Sequence, residues 1–176
     1  SILTAVYSPL SGKVVPLADV PDPVFSGKIL GDGVAIIPSD GRICSPVDGT
    51  LTTVAETGHA FGFQTEDGIE LLVHVGLETV GLKGVPFTIE VEAGTKVKAG
   101  DPIARVDLDY LKEHNIETVT PVIFCGGPEG TLKSLAVGET VKPGQKPVYQ
   151  IECQAEEEPE PVKAEAPKKA EAKPQP

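Results

Sequence analysis

The chain has 176 residues, of which 40 % are hydrophobic and 5 % aromatic, with 19 Gly, 17 Pro and neither Met nor Trp. That size fits one ordinary domain with an appendage, and the mix favours a turn-rich β fold over a helical bundle. A formal net charge of -11 argues against a nucleic-acid binder, which needs a basic surface, and favours a basic protein partner.

Cys44, Cys125 and Cys153 are far apart and form no CxxC pair, so they read as reduced thiols of a cytoplasmic protein. No apolar run approaches the ~20 residues of a membrane span. No secretory leader is visible where Ser1-Ile2-Leu3-Thr4 runs into strand-like text.

In chain order, two stretches first combine apolar residues with Asp and turn formers: Asp19 to Phe25, and Ile29-Leu30-Gly31-Asp32-Gly33. Folded over a site, they would form a shallow apolar ring with an acidic rim. Strands are predicted at Val34–Ile37, Gly49–Val54, Ile69–Val75 and Val148–Ile151, each a short apolar or alternating run bounded by Gly, Pro or Asp. Glu66-Asp67-Gly68 signals a hairpin turn. Asp107 to Asn115 predicts one short helix, with Asp107 as N-cap and His114 as a solvated residue at its end.

Two patterns recur. Ser8-Pro9-Leu10-Ser11-Gly12-Lys13-Val14 matches Ser45-Pro46-Val47-Asp48-Gly49-Thr50-Leu51, and the turn Gly94 to Gly100 matches Gly138 to Gly144. Paired repeats of strand entries and Gly-bounded turns predict an all-β antiparallel sandwich or barrel with a duplicated motif (a barrel-sandwich hybrid) and one or two short helical turns. After Ile151 the text becomes Glu, Pro, Ala and Lys. Residues 1–151 are therefore expected to fold, with 152–176 a disordered linker or tail that lacks the apolar surface to offset ordering.

Chemistry centres on two of the three histidines. A hairpin folded at Asp67-Gly68 places His59 opposite His74 within a residue or two. A neutral imidazole is a nucleophile near neutral pH, and a second imidazole can donate to phosphoryl oxygens. Thr57 stands where it could orient His59. The residues alone leave three readings open: phosphoryl transfer, a zinc site completed by a partner's ligand, and a histidine pair satisfied at a sheet edge.

The residues Pro9-Leu10-Ser11-Gly12, Val20-Pro21-Asp22-Pro23-Val24-Phe25, Gly31-Asp32-Gly33-Val34-Ala35-Ile36, His59-Ala60-Phe61 and Leu72 through Val80 together resemble the glucose-type enzyme IIA family of the bacterial sugar phosphotransferase system. The resemblance spans residues 4–151. It implies that His74 accepts a phosphoryl group on Nε2 from the phosphocarrier protein HPr and passes it to a cysteine of enzyme IIB. It further implies that His59 stabilises that group and Thr57 bonds His59. Val24, Phe25, Ile29, Leu30, Phe61 and Leu72 match an apolar docking ring, and Asp22 and Glu78 its acidic positions. No cofactor or metal is implied, although His59 and His74 could hold zinc with a partner ligand.

Glu78 replaces the Asp of the best-known members, Leu72 replaces an aromatic residue, and an N-terminal amphipathic tail is not seen. The Ala/Pro/Glu/Lys tail is similar to linkers of multidomain members joined to HPr and enzyme I domains or to a permease. Other classes fit less well. A biotinyl or lipoyl carrier presents a lysine commonly beside Met, and a barrel-sandwich zinc peptidase needs a His-x-His pair, whereas Gly76 follows His74 at that spacing. A regulatory binding module without phosphorylation is a further alternative.

Overall fold

The computed structural model describes residues 1–154. Fourteen strands and two short helices follow one another as β1 (Ile2–Tyr7), β2 (Gly12–Pro16), α1 (Pro23–Ser26), β3 (Asp32–Pro38), β4 (Arg42–Cys44), β5 (Gly49–Val54), β6 (Ala60–Gln64), β7 (Glu70–His74), β8 (Phe87–Ile89), β9 (Lys96–Val97), β10 (Pro102–Val106), α2 (Leu108–Glu113), β11 (Thr120–Gly126), β12 (Gly130–Ser134), β13 (Thr140–Val141) and β14 (Pro147–Cys153). Two 3-10 turns, Leu17–Asp19 and Thr79–Leu82, complete the described elements. The last strand runs two residues past the expected boundary at 151, because Ile151 and Cys153 both face the core. The rest of the expected tail lies outside the described residues.

The antiparallel all-β sandwich is as expected, and its duplication is visible strand by strand. One eight-stranded sheet has the order β13-β2-β3-β11-β7-β6-β5-β9; two three-stranded sheets have the orders β1-β14-β12 and β4-β10-β8. Read from either end, the large sheet matches itself, and the two small sheets match each other. Local bonds repeat in the same way. Tyr7 N–H donates to Pro46 O at 2.8 Å, and Cys44 N–H returns the bond to Pro9 O at 2.8 Å. The two Gly-bounded turns meet at Gly100 and Gly144, where an added Cβ on either would lie 3.1–3.3 Å from the other's Cα. On the large sheet Val73 pairs with Val122, so an approximate two-fold axis passes between these strands.

The matching Ser-Pro entries are fixed by buried hydroxyls. Ser45 Oγ donates to Val47 O at 2.7 Å and accepts from Val47 N–H at 3.3 Å, and Ser8 makes the same pair of bonds to Leu10. Both serines are fully buried. Ser45→Ala strands the Val47 peptide groups away from water, so a loss of about 1–3 kcal/mol is expected, read as a lower urea midpoint at unchanged m.

Alternation along the strands decides which side chains enter the core. Val34, Ile36, Phe61, Phe63, Leu71, Val73 and Val122 face inward and pack in one cluster with Tyr149 and Ile151. The intervening Ala35, Leu72 and Ile123 face outward. Leu17, Val20 and Phe25, from the first 3-10 turn and α1, cover them in a second cluster. His74 shares this outer face with Leu72, two residues before it.

Candidate functional site

His74 closes β7, and its partner across the β6–β7 ladder is Ala60. His59 is therefore one residue off direct opposition, within the offset that the hairpin turn predicts. The two imidazole centroids are 5.0 Å apart with the ring planes at 76°. The Phe25 ring lies 5.1 Å from His74 on another side, tilted by 57°.

The bonds to the two Nδ1 atoms differ in kind. His74 Nδ1 is 2.7 Å from Gly76 O. A carbonyl only accepts, so Nδ1 carries the proton, and Nε2 keeps the lone pair in the neutral ring. His59 Nδ1 is 2.7 Å from Thr57 Oγ1. A hydroxyl donates or accepts, so His59 Nε2 can serve as acceptor or donor. The fixed ring has the nucleophile's tautomer, and the adaptable ring suits a stabilising group.

The turn after β7 makes the first of these bonds possible. Gly76 has φ +73°, and a Cβ there would lie 2.8 Å from Thr79 Cγ2 and 2.9 Å from Glu117 O. Only glycine meets that conformation and that crowding together. The turn is tied at several points: Val75 N–H donates to His59 O at 2.7 Å, Leu77 N–H to Glu117 O at 3.0 Å, and Thr79 Oγ1 to Val75 O at 2.8 Å.

Electrostatics keep both rings neutral. Burial pushes the His74 pKa below the usual imidazole value, against upward pulls from the Gly76 carbonyl and the Asp22 carboxylate. Burial also lowers that of His59, and the neighbouring His74 adds to the shift. A neutral His74 offers its lone pair at pH 7. Among the described residues no set of three or more His, Cys, Asp or Glu side chains could hold a metal ion.

α1 forms the nearest wall. Asp22 caps it by accepting from Val24 N–H at 3.0 Å, and Pro23 stands at its first position. The helix turns Phe25 inward onto His74 and Val24 outward. Val24, Ile29 and Leu30 are exposed by 42 %, 71 % and 40 %, which suits a docking ring. Leu30 also borders an open trough of about 560 Å³ that Ala60, Gly62, Leu72 and Cys125 help to line.

Two members of the expected ring lie deeper than a contact surface requires. Phe61 is 1 % exposed and belongs to the inner core, since its neighbours Ala60 and Gly62 take the outward positions on β6. Phe61 nevertheless borders the same trough as Leu30 and Leu72. Phe25 is 5 % exposed and forms the floor under His74. Leu72 is half-buried against the second cluster. Glu78 is exposed in the turn after β7 at φ +57°, and Asp22 is the acid whose charge reaches His74.

Sequence reasoning misses the Gly76 carbonyl; a glycine two residues after a strand-ending histidine is the available signal. Val80 and Val85 are exposed in the loop that passes Thr57 at Gly84. His114 is exposed at the end of α2, as expected, with its ring stacked on Tyr110 at 4.0 Å.

Comparison with known proteins adds the family. Residues 4–129 match the model described as phosphoenolpyruvate-dependent sugar phosphotransferase system, EIIA 1. The PTS system glucose-specific EIICBA component of Staphylococcus carnosus is 47 % identical over 141 residues, 80 % of this chain and 21 % of that protein. The Streptococcus pneumoniae protein of the same name is 48 % identical over 135 residues, 77 % of this chain and 18 % of its own length. The chain thus spans about a fifth of the curated relatives it matches. Among solved structures, glucose permease IIA from Mycoplasma capricolum superposes with a TM-score of 0.78 at 38 % identity, covering 85 % of this chain and 96 % of that one.

Proposed function

This chain belongs to the EIIA 1 family of the phosphoenolpyruvate-dependent sugar phosphotransferase system, and from that premise we propose that it carries a phosphoryl group on Nε2 of His74, taken from phospho-HPr and given to a cysteine of an enzyme IIB domain. The observation that carries the reading is the His74 Nδ1 bond to Gly76 O. It leaves Nε2 as the nucleophilic nitrogen beside a second imidazole.

In the first transfer a bond forms between His74 Nε2 and phosphorus as the donor's P–N bond breaks. In the second, a thiolate sulfur takes the phosphorus and the imidazole recovers its lone pair. Little bonding to either partner exists in a loose transition state, so placement and donors to the phosphoryl oxygens lower the barrier. His59 supplies such a donor from Nε2. A bound phosphoryl dianion raises the affinity of His59 for a proton, and Thr57 Oγ1 then accepts from Nδ1.

The exposed Val24, Ile29 and Leu30 with Asp22 and Glu78 suit docking of a basic, partly apolar partner surface. Relatives named EIICBA components support an enzyme IIB partner, and the segment after β14 is read as a linker to further domains. No described helix is long and apolar enough to cross a membrane; a cytoplasmic place fits the free Cys44, Cys125 and Cys153.

Incubation with phosphoenolpyruvate, enzyme I and HPr tests the proposal: an acid-labile phosphohistidine forms if it holds, and none forms if it fails. The rate of acceptance should decline as pH falls through the His74 pKa, which burial holds below the ordinary imidazole value. Asp22 pulls that pKa upward, so Asp22→Asn, which retains a capping oxygen, is expected to move the acid limb to lower pH. A limb that stays in place or moves upward counts against the Asp22 contribution.

A further inference from the structure

We infer that Thr79 is a positioning residue for phosphoryl transfer, its hydroxyl setting the turn whose Gly76 carbonyl holds His74; this rests on the carrier reading above. Thr79 is fully buried, although it stands in an otherwise surface-facing segment between the exposed Glu78 and Val80. Its hydroxyl does not serve its own 3-10 turn. It reaches back four residues and donates to Val75 O at 2.8 Å.

Val75 is where the two histidine segments are joined. Its N–H is bonded to His59 O, its C=O is bonded to Thr79, and the next peptide bond leads to Gly76. On the other side of that peptide, Thr79 Cγ2 occupies the space a Gly76 side chain would need, 2.8 Å from an added Cβ. Hydroxyl and methyl therefore hold Gly76 from two sides, the hydroxyl through the Val75–Gly76 peptide that enters it and the methyl against its Cα. Without that anchor φ at Gly76 is free to change, and a change at φ carries the Gly76 carbonyl, which belongs to the following Gly76–Leu77 peptide, away from His74 Nδ1. The ring would then be free to exchange its tautomer and lose its aim, so Thr79 acts on the phosphoryl group only through His74. A buried Val75 carbonyl without its donor favours just such a change, as its peptide turns towards water.

Thr79→Val removes the hydroxyl at nearly constant shape, and Thr79→Ser keeps it. For the valine variant, kcat for acceptance from phospho-HPr is expected to drop about tenfold with KM unchanged, since the docking surface is untouched. The ¹⁵N signals of the His74 ring should shift from a single Nδ1–H tautomer towards a mixture, and Thr79→Ser should restore both readouts. Wild-type kcat and a single tautomer in Thr79→Val would overturn the inference. So would a serine variant as impaired as the valine one, which would place the effect in packing of the methyl group.

Should Thr79→Val not fold, Thr79→Ala is read by the same two measurements and with the same criteria. The ¹⁵N tautomer requires no phosphoryl transfer, so it decides the role of Thr79 even if the wild-type chain accepts no phosphoryl group. That second result would sink the carrier reading separately.

Discussion

His74→Ala is expected to abolish phosphoryl acceptance, lowering acid-labile label from phospho-HPr by at least about 10³-fold, with His59 unable to take over. The reason lies in what each Nδ1 touches. Gly76 O can only accept, which commits the proton of His74 to Nδ1 and the lone pair to Nε2. Thr57 Oγ1 makes no such commitment for His59. His74 is also the ring packed against both Phe25 and His59, and burial lowers its pKa, so it is neutral when the donor arrives. His114 provides a control. Its Nδ1 is likewise bonded to a carbonyl, Tyr110 O at 2.8 Å, but it is exposed and has no second imidazole beside it. His114→Ala should accept at the wild-type rate. Substantial label in His74→Ala, measured by phosphohistidine quantitation at matched donor, would move the nucleophile elsewhere.

His59→Gln separates the two half-reactions. His74 keeps its tautomer and its floor, so the phosphohistidine still forms, more slowly. Onward transfer to enzyme IIB is expected to fall about 10²-fold, the usual scale for removing one donor aimed at developing charge. Gln can reach towards the phosphoryl oxygens with an N–H, yet it cannot take a proton as the phosphoryl charge builds. A chase of labelled chain with an enzyme IIB domain reads this directly. Equal onward rates in wild type and His59→Gln would remove His59 from the transfer step.

Much of this is legible in the residues because it depends on period and spacing. The repeated Ser-Pro-x-x-Gly entries announce the duplication that appears as matched halves of the large sheet. The Asp67-Gly68 turn sets a register that places His59 beside His74. Asp107 reads as a cap and does cap α2. What escapes depends on three dimensions. Phe61 matches the docking ring beside His59 in sequence, but strand alternation turns it into the inner core, which is settled only when β6 receives its register against β7. α1 leaves no periodic signal, since four residues give too little periodicity, and only Asp22 and Pro23 mark its start. The Gly76 carbonyl is out of reach because backbone groups leave no trace in residue type beyond the glycine itself. The brace from Thr79 joins residues through a turn conformation that no simple pattern specifies.

The most direct test of the central claim is the site of the P–N bond in the phosphorylated chain, read by ³¹P and ¹⁵N NMR after labelling with phosphoenolpyruvate, enzyme I and HPr. Phosphorus on Nε2 of His74, with His59 unmodified, is the expected result. Phosphorus on Nδ1 of His74, or on either nitrogen of His59, would contradict it.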